Sequence, residues 1–82
     1  MVLGKAKYKN VMGVVSYIHT MQNTHSYDWT IVVHFEGTYR KDIKFDTEEA
    51  CKQAFETIWD DLSRRGYCDL DRFNTKTGMV MR

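Results

Sequence analysis

One stretch constrains the fold more than any other: Asp46 to Gly66, DTEEACKQAFETIWDDLSRRG, the only long segment with a clean helical period. Cys51, Phe55, Ile58 and Leu62 follow steps of four, three and four, so they line one face of a helix. Ala54 and Trp59 widen that face, while Lys52, Gln53, Glu56, Asp60, Ser63 and Arg64 fall mostly on the other side. The ends agree with the middle. Asp46 is placed to accept from a first-turn amide, with Glu49 reaching back as in a capping box. Glu48 and Glu49 suit the positive end of the helix dipole, and Arg64 and Arg65 the negative end. Gly66 can take the left-handed conformation that closes a helix.

The segment before the helix has a period of two. Tyr27, Trp29, Ile31, Val33 and Phe35 alternate with Asp28, Thr30, Val32 and His34, which predicts a strand with one covered side. Glu36-Gly37 predicts a tight hairpin turn. In the return strand, Thr38 to Phe45, Tyr39, Ile43 and Phe45 point one way and Arg40, Asp42 and Lys44 the other. Lys41 breaks the apolar side, where its stem can lie along the core edge with the ammonium in water. The helix follows at once, so it must fold back over the apolar face of this hairpin.

Lys5 to His19 also reads as extended, with residues 1–4 fraying. Its alternation changes phase near Gly13, which predicts either a β-bulge there or a break between two strands. His19 to Ser26 is polar and reads as a loop. Beyond Gly66, Tyr67 to Phe73 and Met79 to Met81 read as short extended pieces around a turn at Asn74 to Gly78. The expected fold is one α+β domain over residues 1–82. It is an antiparallel sheet of three to five strands with one α-helix on one face, in the order β-β-β-α-β-(β). In such a layer Trp29→Ala, Phe55→Ala and Trp59→Ala are each expected to cost ~3–5 kcal/mol.

With 82 residues the core is small. A net charge of +1 gives no support to a polyanion mimic and little to a strongly basic nucleic-acid binder. Two cysteines, Cys51 and Cys68, are too few for a disulfide-stapled secreted domain, so a reducing cytoplasm is expected. The opening residues lack the apolar run of a signal peptide, and no stretch approaches the ~20 residues of a membrane span.

No residue pattern points to catalysis, and neither enzyme activity nor any cofactor is expected. His19 and His25 bracket a polar loop beside Asp28, but their spacing matches no recognised metal motif. Asp69 and Asp71 lack the glycine and terminal glutamate of a calcium loop and read as a solvated strand edge. The isolated glycines form no phosphate loop.

Two binding readings remain. In the first, the chain is a protein-binding regulator or inhibitor of a larger protein or complex. It would use its uncovered sheet face, its loops and its edges, with Met21, His25, His34, Met79 and Met81 among the contacts. An exposed edge strand also offers a route to a homodimer. In size and element order the chain resembles the compact sheet-plus-helix inhibitors that phages direct at host enzymes and defence systems, anti-CRISPR proteins among them. The second reading is a single-stranded RNA or DNA binder. It would use a basic strand face of Lys5, Lys7 and Lys9 with Tyr8 and Tyr17 nearby, and Arg40 and Lys44 on the hairpin. Asp28, Glu36 and Asp42 on the same side oppose it.

Overall fold

The computed structural model describes residues 3–22, 25, 28–37 and 39–81. It contains a five-stranded sheet in the order β4-β3-β2-β1-β5 with one helix, α1, across one face. The strands are β1 (Gly4–Tyr8), β2 (Val11–Gln22), β3 (Trp29–Phe35), β4 (Tyr39–Phe45) and β5 (Tyr67–Asp69), with α1 (Glu48–Arg65) between β4 and β5. Among the described residues, no helix is long and apolar enough to cross a membrane.

The first expected strand is two. Lys9 and Asn10 have φ of 47° and 67°, the paired positive values of a two-residue hairpin turn, and they separate β1 from β2. A lysine is an unusual occupant of that conformation. Here its backbone N–H donates to both carboxylate oxygens of Asp71, at 3.0 and 3.1 Å. Asp71 is therefore a tie on the hairpin rather than a solvated edge charge. Asp69 caps the 3₁₀ turn Leu70–Arg72 by accepting from the Asp71 N–H. That turn ends the strand expected to continue to Phe73.

The expected bulge is present, but at Ser16, where the β2–β3 register shifts between Val15 and Tyr17. It puts Val15 and Ile18, three residues apart, on the same buried side. Gly13 has a different role. A Cβ there would meet the Phe35 ring at 2.8 Å, so the missing side chain makes room for that ring. The N-terminal residues that are described do not fray: the Leu3 N–H donates to the Val15 carbonyl and Gly4 opens β1. Tyr27 and Thr38, expected as the first residues of their strands, lie outside the described residues.

Strands β3 and β4 pair Ile31 with Ile43 and Phe35 with Tyr39, so the apolar sides predicted by alternation coincide. Ile31, Val33, Phe35, Ile43 and Phe45 are buried under the helix. Lys41 lies on that side with its ammonium over the Tyr39 ring, 5.1 Å from the centroid.

Thr47, not Asp46, caps α1, its hydroxyl accepting from the Ala50 N–H at 3.1 Å. Gly66 closes the helix in the left-handed conformation, as expected. The buried stripe is Ala50, Cys51, Ala54, Ile58 and Leu62. Ala50 and Ala54 hold no bulk, so the backbone comes close to its neighbours; Gly78 lies against the Ala50 carbonyl, where no Cβ fits. This rotation leaves Phe55 half-buried at the rim and Trp59 46% exposed, stacked on Phe55 at 6.3 Å. Trp59 is thus not a core residue.

The sheet is mixed rather than wholly antiparallel. Strands β1 to β4 form an antiparallel meander, whereas β5 runs parallel to β1, Ala6 facing Cys68. The helix starts at one edge of the meander and delivers the chain to the other. The terminal residues return through a Phe73–Val80 bridge around the Asn74 turn, whose side chain accepts from the Lys76 and Thr77 N–H groups.

Candidate interaction face

The sheet face opposite α1 carries no further layer among the described residues. Register places Lys5 and Lys7 of β1 beside Val14 and Met12 of β2, and His34, Val32 and Thr30 of β3 beside Arg40, Asp42 and Lys44 of β4. The Ser16 bulge decides what stands between them. Beyond it, Tyr17, His19 and Met21 face this side, opposite His34, Val32 and Thr30. The Ser16 hydroxyl donates to the His34 carbonyl at 3.0 Å and fixes the bulge to β3.

Three rings meet there. Tyr17 lies face to face with His34, centroids 4.1 Å apart and planes 10° apart. The His19 and His34 rings are within 24° of parallel, their centroids 4.9 Å apart and their Nε2 atoms 2.9 Å apart. Those centroids are separated by nearly the N···N distance plus two ring radii. The imidazoles therefore meet edge to edge, one nitrogen donating and the other accepting. Beside this cluster Val32 is fully buried and Thr30 nearly so, although both are on the uncovered side. The neighbouring side chains seal the middle of the face, while Met12, Tyr17 and Met21 stand out as exposed apolar surface.

Burial among these neighbours lowers the His34 pKa; His19 and Arg40 add to the effect and Asp42 opposes it. Zinc sits about 2.0–2.1 Å from an imidazole nitrogen. Two Nε2 atoms aimed at each other across 2.9 Å leave no room for it between them. Nor do three or more His, Cys, Asp or Glu side chains converge as a metal site among the described residues. His19 is thus committed to His34 instead of to the imagined His25–Asp28 site.

The cations are fewer than the sequence suggests. Lys7 approaches Asp71 at 3.9 Å, and Arg40 approaches Asp42 at 3.6 Å. Lys9 lies in the turn, its ammonium over the Tyr8 ring, so the expected three-lysine stripe is a pair. Tyr8 is partly buried and packs against the core. Among the described residues, Lys5 and Lys44 have no carboxylate partner and stand on opposite sides of the ring cluster.

Of the other residues singled out, Met21, His34, Arg40 and Lys44 are brought together on this face. His25 is exposed between β2 and β3. Met79 is elsewhere, beside Thr47 and Ala50 at the start of α1, and Met81 lies near Phe73 and Asn74. Tyr17, expected beside the lysine stripe, lies here with His19 and Met12, which were missed as contact residues. A polar serine at the bulge left no sequence signal for the side taken by Tyr17 and His19.

The remaining concave surfaces are less suited to recognition. A groove of about 360 Å³ beside β5 is lined by Asp61, Arg65, Asp69 and Arg72, but these charges pair within the groove, Arg65 with Asp61 and Arg72 with Asp69. Cys68, also in its wall, has its thiol pushed up to about 12 by burial and the nearby Asp61 carboxylate. Cys51 is raised as well, by burial and Glu48. Neither free thiol is activated for nucleophilic attack.

Fold and face together define an α+β domain with one sheet side closed by a helix and the other presenting rings, methionines and cations. No protein-family model, curated protein or solved structure matches the chain.

Proposed function

We propose that this chain is a small binding module, a regulator or inhibitor that lays the open face of its sheet on an acidic surface of a larger protein. The Tyr17–His34–His19 cluster between exposed Met12 and Met21 carries this reading. Interface centres are enriched in aromatic residues and methionine, and tyrosine is a frequent energetic anchor. Lys5 and Lys44 at the flanks supply positive charge for steering toward carboxylates. The inhibitory form draws on the build shared, in size and element order, with compact phage inhibitors. The two buried free thiols fit a reducing, cytoplasmic setting. The outer strand β4 carries Arg40, Lys41, Asp42 and Lys44, charges that resist edge pairing, so a homodimer through that edge is disfavoured.

Rings and cations on a sheet also suit single-stranded nucleic acid. Ion pairing at Lys7 and Arg40 favours the protein reading, because it leaves isolated charges instead of a track for a phosphate backbone. Affinity capture with the tagged domain, with and without nuclease, separates the two. A stoichiometric protein that survives nuclease and is lost with Tyr17→Ala supports the proposal. Recovery abolished by nuclease supports the alternative.

A further inference from the structure

We propose that His19 and His34 form a proton-operated latch on the open face. With no more than one proton added to the neutral pair, taken up on the Nδ1 of the ring whose Nε2–H donates, the pair holds Tyr17, His19 and His34 as one plate; a second added proton, on the accepting Nε2, opens it. The latch would control docking only if this face is the docking surface, but the latch itself is a property of the free chain.

A bond between two Nε2 atoms 2.9 Å apart needs a hydrogen on one and a lone pair on the other. The neutral pair meets this with opposite tautomers at the contact. Adding one proton leaves the pair bonded: it ionises one ring and can make the bond charge-assisted. Adding a second sets N–H against N–H and two cations in contact, and no arrangement of hydrogens restores the bond. The groups around the pair divide: Arg40 opposes a further proton, whereas the Tyr17 ring face and Asp42 favour one. From β2, Tyr17 stacks on His34. From β4, Arg40 is in register with His34 and opposes further positive charge, while the carboxylate of Asp42, which would welcome it, is engaged by that same Arg40 at 3.6 Å. Lys44 adds another cation along β4. The helix is on the opposite side of the sheet. Opening the latch deprives Tyr17 of its stacked partner and turns an ordered plate into separated, charged rings.

The test uses histidine side-chain ¹H–¹⁵N spectra of the intact chain from about pH 8 to about pH 4.5, with the Tyr17 ring protons followed in parallel. The latch predicts two proton-uptake steps for the pair, separated by at least about one pH unit. The Tyr17 resonances should move with the second step. In His34→Gln the pair's two steps collapse to one and the Tyr17 movement disappears; His19→Gln gives an independent check. Two rings titrating independently, or two steps with Tyr17 stationary, overturn the latch and leave the docking reading intact. Failure of capture through Tyr17 overturns docking and leaves the spectra unchanged.

Discussion

At the residue scale, two small features do the positioning. Gly13 leaves space for the Phe35 ring, and Gly13→Ala forces a methyl to within 2.8 Å of it. A loss of about 1–3 kcal/mol is expected in urea denaturation. The Asp71 carboxylate holds the Lys9 N–H in the turn, and Asp71→Ala should cost about 1 kcal/mol by the same measurement. His34 gives stability a pH dependence. Its pKa is lowered from 6.5 by burial, His19 and Arg40, so the folded chain binds this proton more weakly than the unfolded chain. The contribution is fully present above 6.5 and is lost as pH falls toward the lowered folded value. The urea midpoint should therefore drop through that window, and drop less in His34→Gln. Equal drops in both proteins would remove His34 from the account.

At the element scale, the helix was legible because its period, acidic start, basic end and closing glycine all agree, as they do in Glu48–Arg65. Its rotation was less legible. Periodicity marks an apolar arc but not which part of it is buried; the buried stripe takes in Ala50 and Ala54 and leaves Trp59 outside. Accordingly Ile58→Ala should cost about 2–5 kcal/mol, while Trp59→Ala should stay within about 1 kcal/mol, both by thermal or urea melting. Equal large losses would restore Trp59 to the core. The β3–β4 hairpin was readable from alternation and Gly37. The β1–β2 turn was not, because Lys9-Asn10 lacks the usual glycine and depends on Asp71, far away in the chain. The same holds for the face: Arg40, Lys44 and His34 follow from alternation, whereas Tyr17 and His19 reach it only through the bulge at Ser16.

At the scale of the whole molecule, the helix closes one side of the sheet and the open side gathers Met12, Tyr17, His19, Met21 and His34 between Lys5 and Lys44. The parallel direction of β5 was hidden from the sequence because three residues carry no signal of direction; it is set by where the helix ends. A second aromatic surface, Phe55 with Trp59, lies on the helix side and gives the docking proposal an internal control. The most direct measurement is nuclease-treated affinity capture with the wild-type chain, Tyr17→Ala and Trp59→Ala side by side. The account predicts a stoichiometric protein partner that Tyr17→Ala loses and Trp59→Ala retains; a partner retained by Tyr17→Ala and lost by Trp59→Ala would contradict it.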